Sequence, residues 1–271
     1  MDGVEVVSCG PVCARLKVRY RYMRSTIEQR ITIYRDMDRI DFDTKADWRE
    51  KQYLLKAHFP VDVFYNEATF DVQYGNVRRA THRNTSWDAA RFEVCAHKWV
   101  DAAEDGYGVS LLNDCKYGHS VDDKGIALTL LKSSTHPDPD ADQCAHVFTY
   151  SLMPHEGNWR EAGTAHMALQ LNVPAIACEG RRAAMRPLAS VDAPNVQVEV
   201  VKQAMDGEGL IIRLYECFGR RTQDVRLTLG FDASAICACN LLEDDQNEIA
   251  ENTRTATFSL RPYEIKTFRV L

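Results

Sequence analysis

Apolar and polar residues alternate with a period of two along most of the chain, the pattern of strands that turn one face to a core and the other to water. The clearest case is 15–22, where Leu16, Val18, Tyr20 and Tyr22 share one face and Arg15, Lys17, Arg19 and Arg21 the other. The pattern recurs over 39–48, which sets Ile40, Phe42, Thr44, Ala46 and Trp48 opposite Arg39, Asp41, Asp43, Lys45 and Asp47. Further strands are predicted at 27–34, 53–59, 69–74, 92–100, 108–113, 126–131 and 146–152. No long stretch carries a 3.6-residue period, so antiparallel sheets packed face to face are expected.

The rhythm breaks between 173 and 195, where Pro174, Gly180, Arg181, Arg182, Pro187 and Pro194 mix turn formers with charge. It resumes at 196–202, 210–216, 225–231, 256–260 and 264–270, with Asp206-Gly207 as the turn between the first two. The expected organisation is a large sandwich over 1–180, a linker over 181–194 and a small antiparallel sandwich over 195–271.

Composition narrows the function. The 271 residues are 45% hydrophobic and 27% charged, enough apolar material for such cores, which excludes a disordered chain. Lys plus Arg is 33 against Asp plus Glu 39, a net charge of −6 that offers no bulk positive field for a phosphate backbone, so nucleic acid is not an expected partner. Apolar runs fall short of the roughly 20 residues a bilayer requires. Asp2 and Glu5 stand where a signal peptide would be basic. No membrane segment and a cytoplasmic location are expected. Nine cysteines without a C-x-x-C pair read as reduced, mostly buried thiols; Cys237 and Cys239, two apart on a predicted strand, fall on one face.

Most apparent chemical motifs dissolve on inspection. His136, Asp138, Asp140, Asp142 and His146 crowd one segment, but an EF-hand loop beginning at Asp138 needs Gly and Glu where Gln143 and Thr149 stand. That segment reads as a solvated turn. No His pair has metal-ligand spacing, and there is no Gly-x-Ser-x-Gly elbow, phosphate loop or dinucleotide fingerprint. Acidic clusters such as Asp101, Glu104 and Asp105 designate no catalytic pair. One loop is different: Asn113-Asp114-Cys115-Lys116-Tyr117-Gly118 follows Leu111-Leu112 and gathers an amide, a carboxylate, a cation and an aromatic. These groups suit sugar hydroxyls and a ring face. They equally suit an Asx-type turn with a buried Tyr.

Four segments in order carry a family resemblance. They are Thr81-His82-Arg83-Asn84-Thr85-Ser86-Trp87-Asp88, Phe92-Glu93-Val94-Cys95-Ala96-His97-Lys98-Trp99, Leu111-Leu112-Asn113-Asp114-Cys115-Lys116-Tyr117-Gly118, and Phe148-Thr149-Tyr150-Ser151-Leu152 with Pro154, His155 and Gly157. Together with the upstream Arg39-Ile40-Asp41-Phe42, Trp48 and Leu55-Lys56-Ala57-His58-Phe59-Pro60, they closely resemble the C-terminal half of glycoside hydrolase family 38 α-mannosidases, cytosolic and bacterial branch. The resemblance runs from about Val4 to Leu271.

The resemblance implies an all-β fold: a large mutarotase-like antiparallel β-sandwich (supersandwich) followed by a smaller C-terminal β-sandwich. It also implies retaining hydrolysis of terminal α-mannosides by the full-length enzyme, through a covalent glycosyl-enzyme. The α/β catalytic domain of such enzymes supplies the aspartate nucleophile and the His and Asp ligands of zinc or another divalent metal. It has no counterpart here, so this chain reads as a fragment or truncated product with no catalytic residue, no cofactor and no metal ligand of its own. Expected partners are its own N-terminal catalytic domain, an α-mannoside or oligosaccharide substrate, and further copies in a homo-oligomer. Asn113, Asp114, Lys116 and Tyr117 are then candidates for a loop at the rim of the substrate cleft. An apolar face exposed by the missing domain is a corollary. Two other functions stay open: a free-standing carbohydrate-binding module using Trp87, Trp99, Tyr117 and Trp159, and a mutarotase-like sugar isomerase, for which no His and Glu pair stands out.

Overall fold

Alternating side chains commit most of the chain to antiparallel strands, and a computed structural model describes residues 1–180 and 186–271. Part of the expected 181–194 linker, residues 181–185, lies outside the described residues. The chain divides into two compact units, Met1–Ala175 and Ile176–Leu271.

The first unit contains β1 (Gly3–Cys9), β2 (Cys13–Tyr22), β3 (Ser25–Tyr34), β4 (Ile40–Asp47), β5 (Leu55–Phe59), β6 (Glu67–Val72), β7 (Gly75–Ala80), α1 (Ser86–Ala89), β8 (Val94–Cys95), β9 (Trp99–Glu104), β10 (Tyr107–Asn113), β11 (Gly118–Asp122), β12 (Gly125–Leu131), β13 (Ala145–Glu156) and α2 (Thr164–Asn172). A nine-stranded sheet runs in the order β1-β2-β3-β4-β13-β10-β9-β6-β7, and a four-stranded sheet in the order β5-β12-β11-β8. Phe70, Val100, Leu111, Ile126, Leu128, Phe148 and Tyr150 form one apolar cluster. Phe42 of the large sheet stacks on Tyr150 at 5.1 Å and meets Phe59 of the small sheet at 5.5 Å, so aromatic rings join the two layers. This is the expected large sandwich.

Three local departures have physical causes. The predicted strand over 92–100 is two pieces, β8 and β9, in different sheets, because the backbone between them pairs elsewhere: Ala96 N–H donates to Tyr117 O, and His97 N–H to Asp71 O. The strands β1, β7 and β11 escape pattern reading, since β1 is an edge strand exposed along its length and β7 is half polar. The helix α2 also escapes it. Its N-cap is Gly163 in the left-handed region, with φ of 67°, and no side chain caps it, so none of the usual start signals is present.

The helix packs on β9 and β10, on the face of the large sheet away from the core. There Trp159 lies 4.8 Å from Trp99, Thr164 Oγ1 is 2.9 Å from Ser110 Oγ, and Asn172 Nδ2 donates to Asn113 O at 2.9 Å.

The second unit holds β14 (Ala189–Val191), β15 (Val196–Gln203), β16 (Leu210–Glu216), β17 (Thr222–Cys239), β18 (Asp245–Leu260) and β19 (Ile265–Val270). Strands β17 and β18 are far longer than 225–231 and 256–260, the spans predicted for them. The register of β17 with β18 shifts between Thr228 and Ala233; before the shift β17 also pairs with β14, and after it with β19. One sheet thus turns over on itself, enclosing Ile212, Leu214, Leu227, Leu229, Ile236 and Phe268 as the small sandwich. Among the described residues no helix is long and apolar enough to cross a membrane.

Candidate functional site

The loop after β10 is anchored by Asn113, the last residue of the strand, and by Asp114. Leu111 and Leu112 are sealed in the interior, and Asn113 beyond them is equally buried. Both ends of its amide are engaged, with Nδ2 donating to His97 O at 2.9 Å and Oδ1 accepting from Lys116 N–H at 2.8 Å. This is the Asx-type turn. Asp114 zips the loop to β13: its N–H donates to Thr149 O at 3.1 Å, and Oδ2 accepts from Thr149 N–H at 2.8 Å. Its Oδ1 is buried without a hydrogen-bond partner. Cys115 is exposed, yet its thiol is pushed up to about 11, by burial of the sulfur and then by the neighbouring Asp114 carboxylate.

Lys116 and Tyr117 are what the loop presents. The Lys116 ammonium sits 4.7 Å from the Phe148 ring centroid, a cation–π contact that restrains it. The Tyr117 ring is half-exposed, 5.2 Å from the His97 ring. The tyrosine is therefore available, whereas an Asx turn with a buried ring is not what forms. The arrangement offers one restrained cation and one half-open aromatic face, with the Asp114 carboxylate turned inward to fix the loop, a set that can bind a hydroxyl and a ring face and performs no bond cleavage by itself.

Pattern reading misses a second polar cluster, beneath α2. His155 Nε2 lies 2.8 Å from Asp101 Oδ2, which also accepts from Ser110 Oγ at 2.9 Å, and Nδ1 faces Glu156 O at 3.3 Å. Arg39 Nε lies 2.8 Å from Asp41 Oδ1, while Tyr34 and Ser151 hydroxyls donate to the same carboxylate at 2.7 and 2.6 Å. Burial, with Asp41 adding to it, pushes Tyr34 up to about 12. Arg39 Nη1 donates to Met167 O of α2 at 3.1 Å. On the sequence, Arg39 and Asp41 belong to the solvated face of their strand; they are buried because a helix without sequence signals covers them. Both ring nitrogens of His155 face oxygen acceptors, so no lone pair is free to take a proton from a sugar. That disfavours the isomerase reading.

The 136–146 segment uses its carboxylates on its own backbone. Asp142 Oδ2 accepts from Lys132 and Ser133 N–H groups, and Asp138 Oδ1 from Asp140 N–H. Among the described residues no group of three or more His, Cys, Asp or Glu side chains is placed to hold a metal ion. None of the nine cysteines is in a disulfide, but burial is not their rule. Cys9, Cys95, Cys115, Cys144 and Cys178 are exposed, and only Cys217 and Cys239 are buried, because several lie at strand ends and loops. Cys237 is half-buried, since register shifts between Ile236 and Cys237 and between Ala238 and Cys239 break the simple alternation there.

Residues 1–140 match the Glycosyl hydrolases family 38 C-terminal domain, and residues 195–268 match the Glycosyl hydrolases family 38 C-terminal beta sandwich domain. The chain belongs to glycosyl hydrolase family 38. Among its family 38 relatives, Alpha-mannosidase 2C1 of Homo sapiens is 37% identical over 249 residues, covering 89% of this chain and 24% of that protein. Alpha-mannosidase G of Dictyostelium discoideum is 33% identical, covering 98% of this chain and 26% of that protein. An alpha-mannosidase from Enterococcus faecalis V583 has the same fold, with a TM-score of 0.79 at 19% identity over 98% of this chain and 35% of that one. The chain thus spans about a quarter of the length of the curated relatives it matches.

Proposed function

We propose that this chain is the C-terminal β-sandwich region of an α-mannosidase that hydrolyses terminal α-mannosides by a retaining route. The large sandwich, 1–180, and the small one, 195–271, joined by 181–194, brace a catalytic domain that carries the aspartate nucleophile and a zinc or similar divalent ion. The loop with Asn113, Asp114, Lys116 and Tyr117 reaches the rim of the mannoside cleft without performing chemistry. The family branch whose motifs it resembles favours a cytoplasmic location. The observation that carries this reading is the pair of C-terminal domain matches, over residues 1–140 and 195–268 of a chain that spans about a quarter of the length of its relatives. Exposed apolar side chains agree with it: Val4 and Val6 on the β1 edge, Phe64 and Trp87 elsewhere in the first unit.

The test is Lys116→Ala with Tyr117→Ala in the polypeptide joined to its catalytic domain. The expected result is a fall in kcat/KM on an α-linked mannobiose on the order of tenfold, the worth of one charged hydrogen bond, with the melting temperature retained. An unchanged kcat/KM at normal stability removes the loop from the cleft. Calorimetry of this chain alone with mannose and mannobiose is expected to be silent; millimolar binding supports the free-standing sugar-binding module instead.

A further inference from the structure

His119, on β11, is wholly buried and lies at the wall of a pit of about 30 Å³ between β7, β11 and the α1 turn. Its Nδ1 lies 3.2 Å from Tyr117 O, which fixes the proton on that nitrogen. Its Nε2 is buried without a partner, so an unsatisfied lone pair remains at the pit. A buried acceptor of this kind costs free energy until a donor reaches it.

Three arginines and two carboxylates also line the pit. Arg91 is paired with Asp88, whose other oxygen lies 3.6 Å from His82 Nδ1, and Arg83 lies 3.7 Å from Asp122. Arg79 differs from these. Its Nη1 donates to Cys95 O at 3.1 Å and its guanidinium rests 4.6 Å over the Phe70 ring, but it has no carboxylate partner among the described residues. Burial holds its pKa below the ordinary guanidinium value, and Arg91 nearby adds to this. Glu93 is not available to neutralise it, being bound to Lys56 and to Thr129 Oγ1. The pit is therefore lined both by a cation without a carboxylate partner and by a histidine whose buried Nε2 lacks a donor, and the two are close enough for Arg79 to help lower the His119 pKa.

We propose that this pit binds a phosphate oxyanion that still carries a proton, its negative oxygens on Arg79 and its O–H donating to His119 Nε2. Both halves of the ligand are required. A sugar hydroxyl can satisfy His119 and leaves Arg79 without an anion, while sulfate satisfies Arg79 and at neutral pH has no proton for His119. The volume decides against a pyranose as well. It exceeds the ~10–15 Å³ that one water requires and falls far short of the roughly 300 Å³ of a small-molecule pocket. Burial lowers His119 to about 4, so at neutral pH the ring is uncharged and its Nε2 accepts a hydrogen bond from the ligand's O–H. The site adjoins the proposed cleft loop through the contact of His119 with Tyr117 O, but none of that loop's candidate side chains lines it, and it stands whether or not the loop touches a mannoside.

The test is long-range proton–nitrogen NMR of the chain labelled with ¹⁵N-histidine, at neutral pH and constant ionic strength. Inorganic phosphate is expected to shift the His119 Nε2 resonance saturably, with sulfate weaker on the order of 10- to 100-fold. Arg79→Gln is expected to abolish the shift and Arg79→Lys to keep part of it. Methyl phosphate, compared with inorganic phosphate at about pH 5.5 where both keep a proton, separates the sources: a shift with inorganic phosphate alone identifies the free ion, and a shift with both identifies a phosphomonoester group. Equal response to sulfate, no response to phosphate, or a response to methyl α-mannoside in its place overturns the proposal, and each comparison is read in the unaltered protein.

Discussion

His155 Nε2 lies 2.8 Å from Asp101 Oδ2, with the two residues only 8% and 3% exposed. Through Ser110 and Thr164 this contact links β13, β10 and β9 to the first residue of α2. It holds together the one face of the large sheet that pattern reading assigns to water.

The contact predicts a pH dependence of stability. Burial opposes charge on His155, but the hydrogen bond and the charge of Asp101 outweigh it, so the pKa lies above that of a free histidine. A group whose folded-state pKa is raised stabilises fully below its unfolded value, ~6.5, and loses that contribution as pH rises through the folded value. Urea unfolding followed by Trp fluorescence should weaken across that alkaline step. Asp101→Asn should flatten the step and lower stability by about 3–5 kcal/mol, the cost of breaking a buried pair. An equally steep pH dependence in Asp101→Asn would assign it to another group.

Gly108 makes room for the same ring. A Cβ there would meet His155 Cε1 at 2.5 Å and Ala103 Cβ at 2.7 Å, too close for either to stay in place. Gly108→Ala should therefore destabilise by about 1–3 kcal/mol, as overpacking does, and shift the His155 titration seen by NMR. If the variant unfolds at the same urea concentration as the parent with the His155 titration unmoved, the ring is not where this geometry puts it.

What was legible in the sequence was whatever alternation or local chemistry encodes. The strands at 39–48, 108–113 and 210–216 lie within one residue of β4, β10 and β16, because their apolar face is also their core face. The turn at Asn113 was legible too, since its amide bonds a residue three positions away. The Asp101–His155 and Asp41–Arg39 clusters were not. Their burial depends on α2, whose Gly163 start carries no capping side chain, and on partners up to 128 residues distant, as for Arg39 and Met167. The pit at His119 was equally hidden, because a histidine alternating in a strand gives no sign that its far nitrogen lacks a donor.

In the second unit, Arg269 ties together the turns that follow β15 and β17. Its Nη1 donates to Asp206 Oδ2 at 2.6 Å and Glu208 O at 3.1 Å, and Nη2 to Glu243 O at 2.8 Å. Glu243 is held in the left-handed region, with φ of 73°, while its carboxylate accepts from Met205 N–H at 2.7 Å. Arg269→Met keeps the apolar stem and removes the three bonds, so stability should fall by about 1–3 kcal/mol. Amide exchange should quicken at Met205 before it quickens in the core strands. Uniform acceleration throughout the unit would show that the arginine supports the whole sandwich and not the turns.

Glu216 closes β16 with no exposed surface, and five donors surround its carboxylate. Oε1 accepts from Asn195 Nδ2 at 2.9 Å and Phe218 N–H at 2.8 Å; Oε2 accepts from the N–H groups of Gly219, Arg220 and Tyr263 at 2.8, 3.0 and 3.1 Å. Gly219 is required in this turn, with φ of 76° and a Cβ position 2.4 Å from the Tyr263 hydroxyl. Only an acceptor at both oxygens satisfies such a cage. Glu216→Gln keeps the shape, but its amide nitrogen must face either two donors or three, so at least two charge-assisted bonds are lost and donors oppose each other. The expected cost is roughly 3 kcal/mol or more, read as a lower urea midpoint for the second unit, with faster amide exchange at Gly219 and Arg220. Glu216→Asp keeps the charge one methylene short and should fall between the two. If Gln matches Glu in stability, the negative charge contributes nothing here, and the turn is held by Gly219 and its packing against Tyr263 alone.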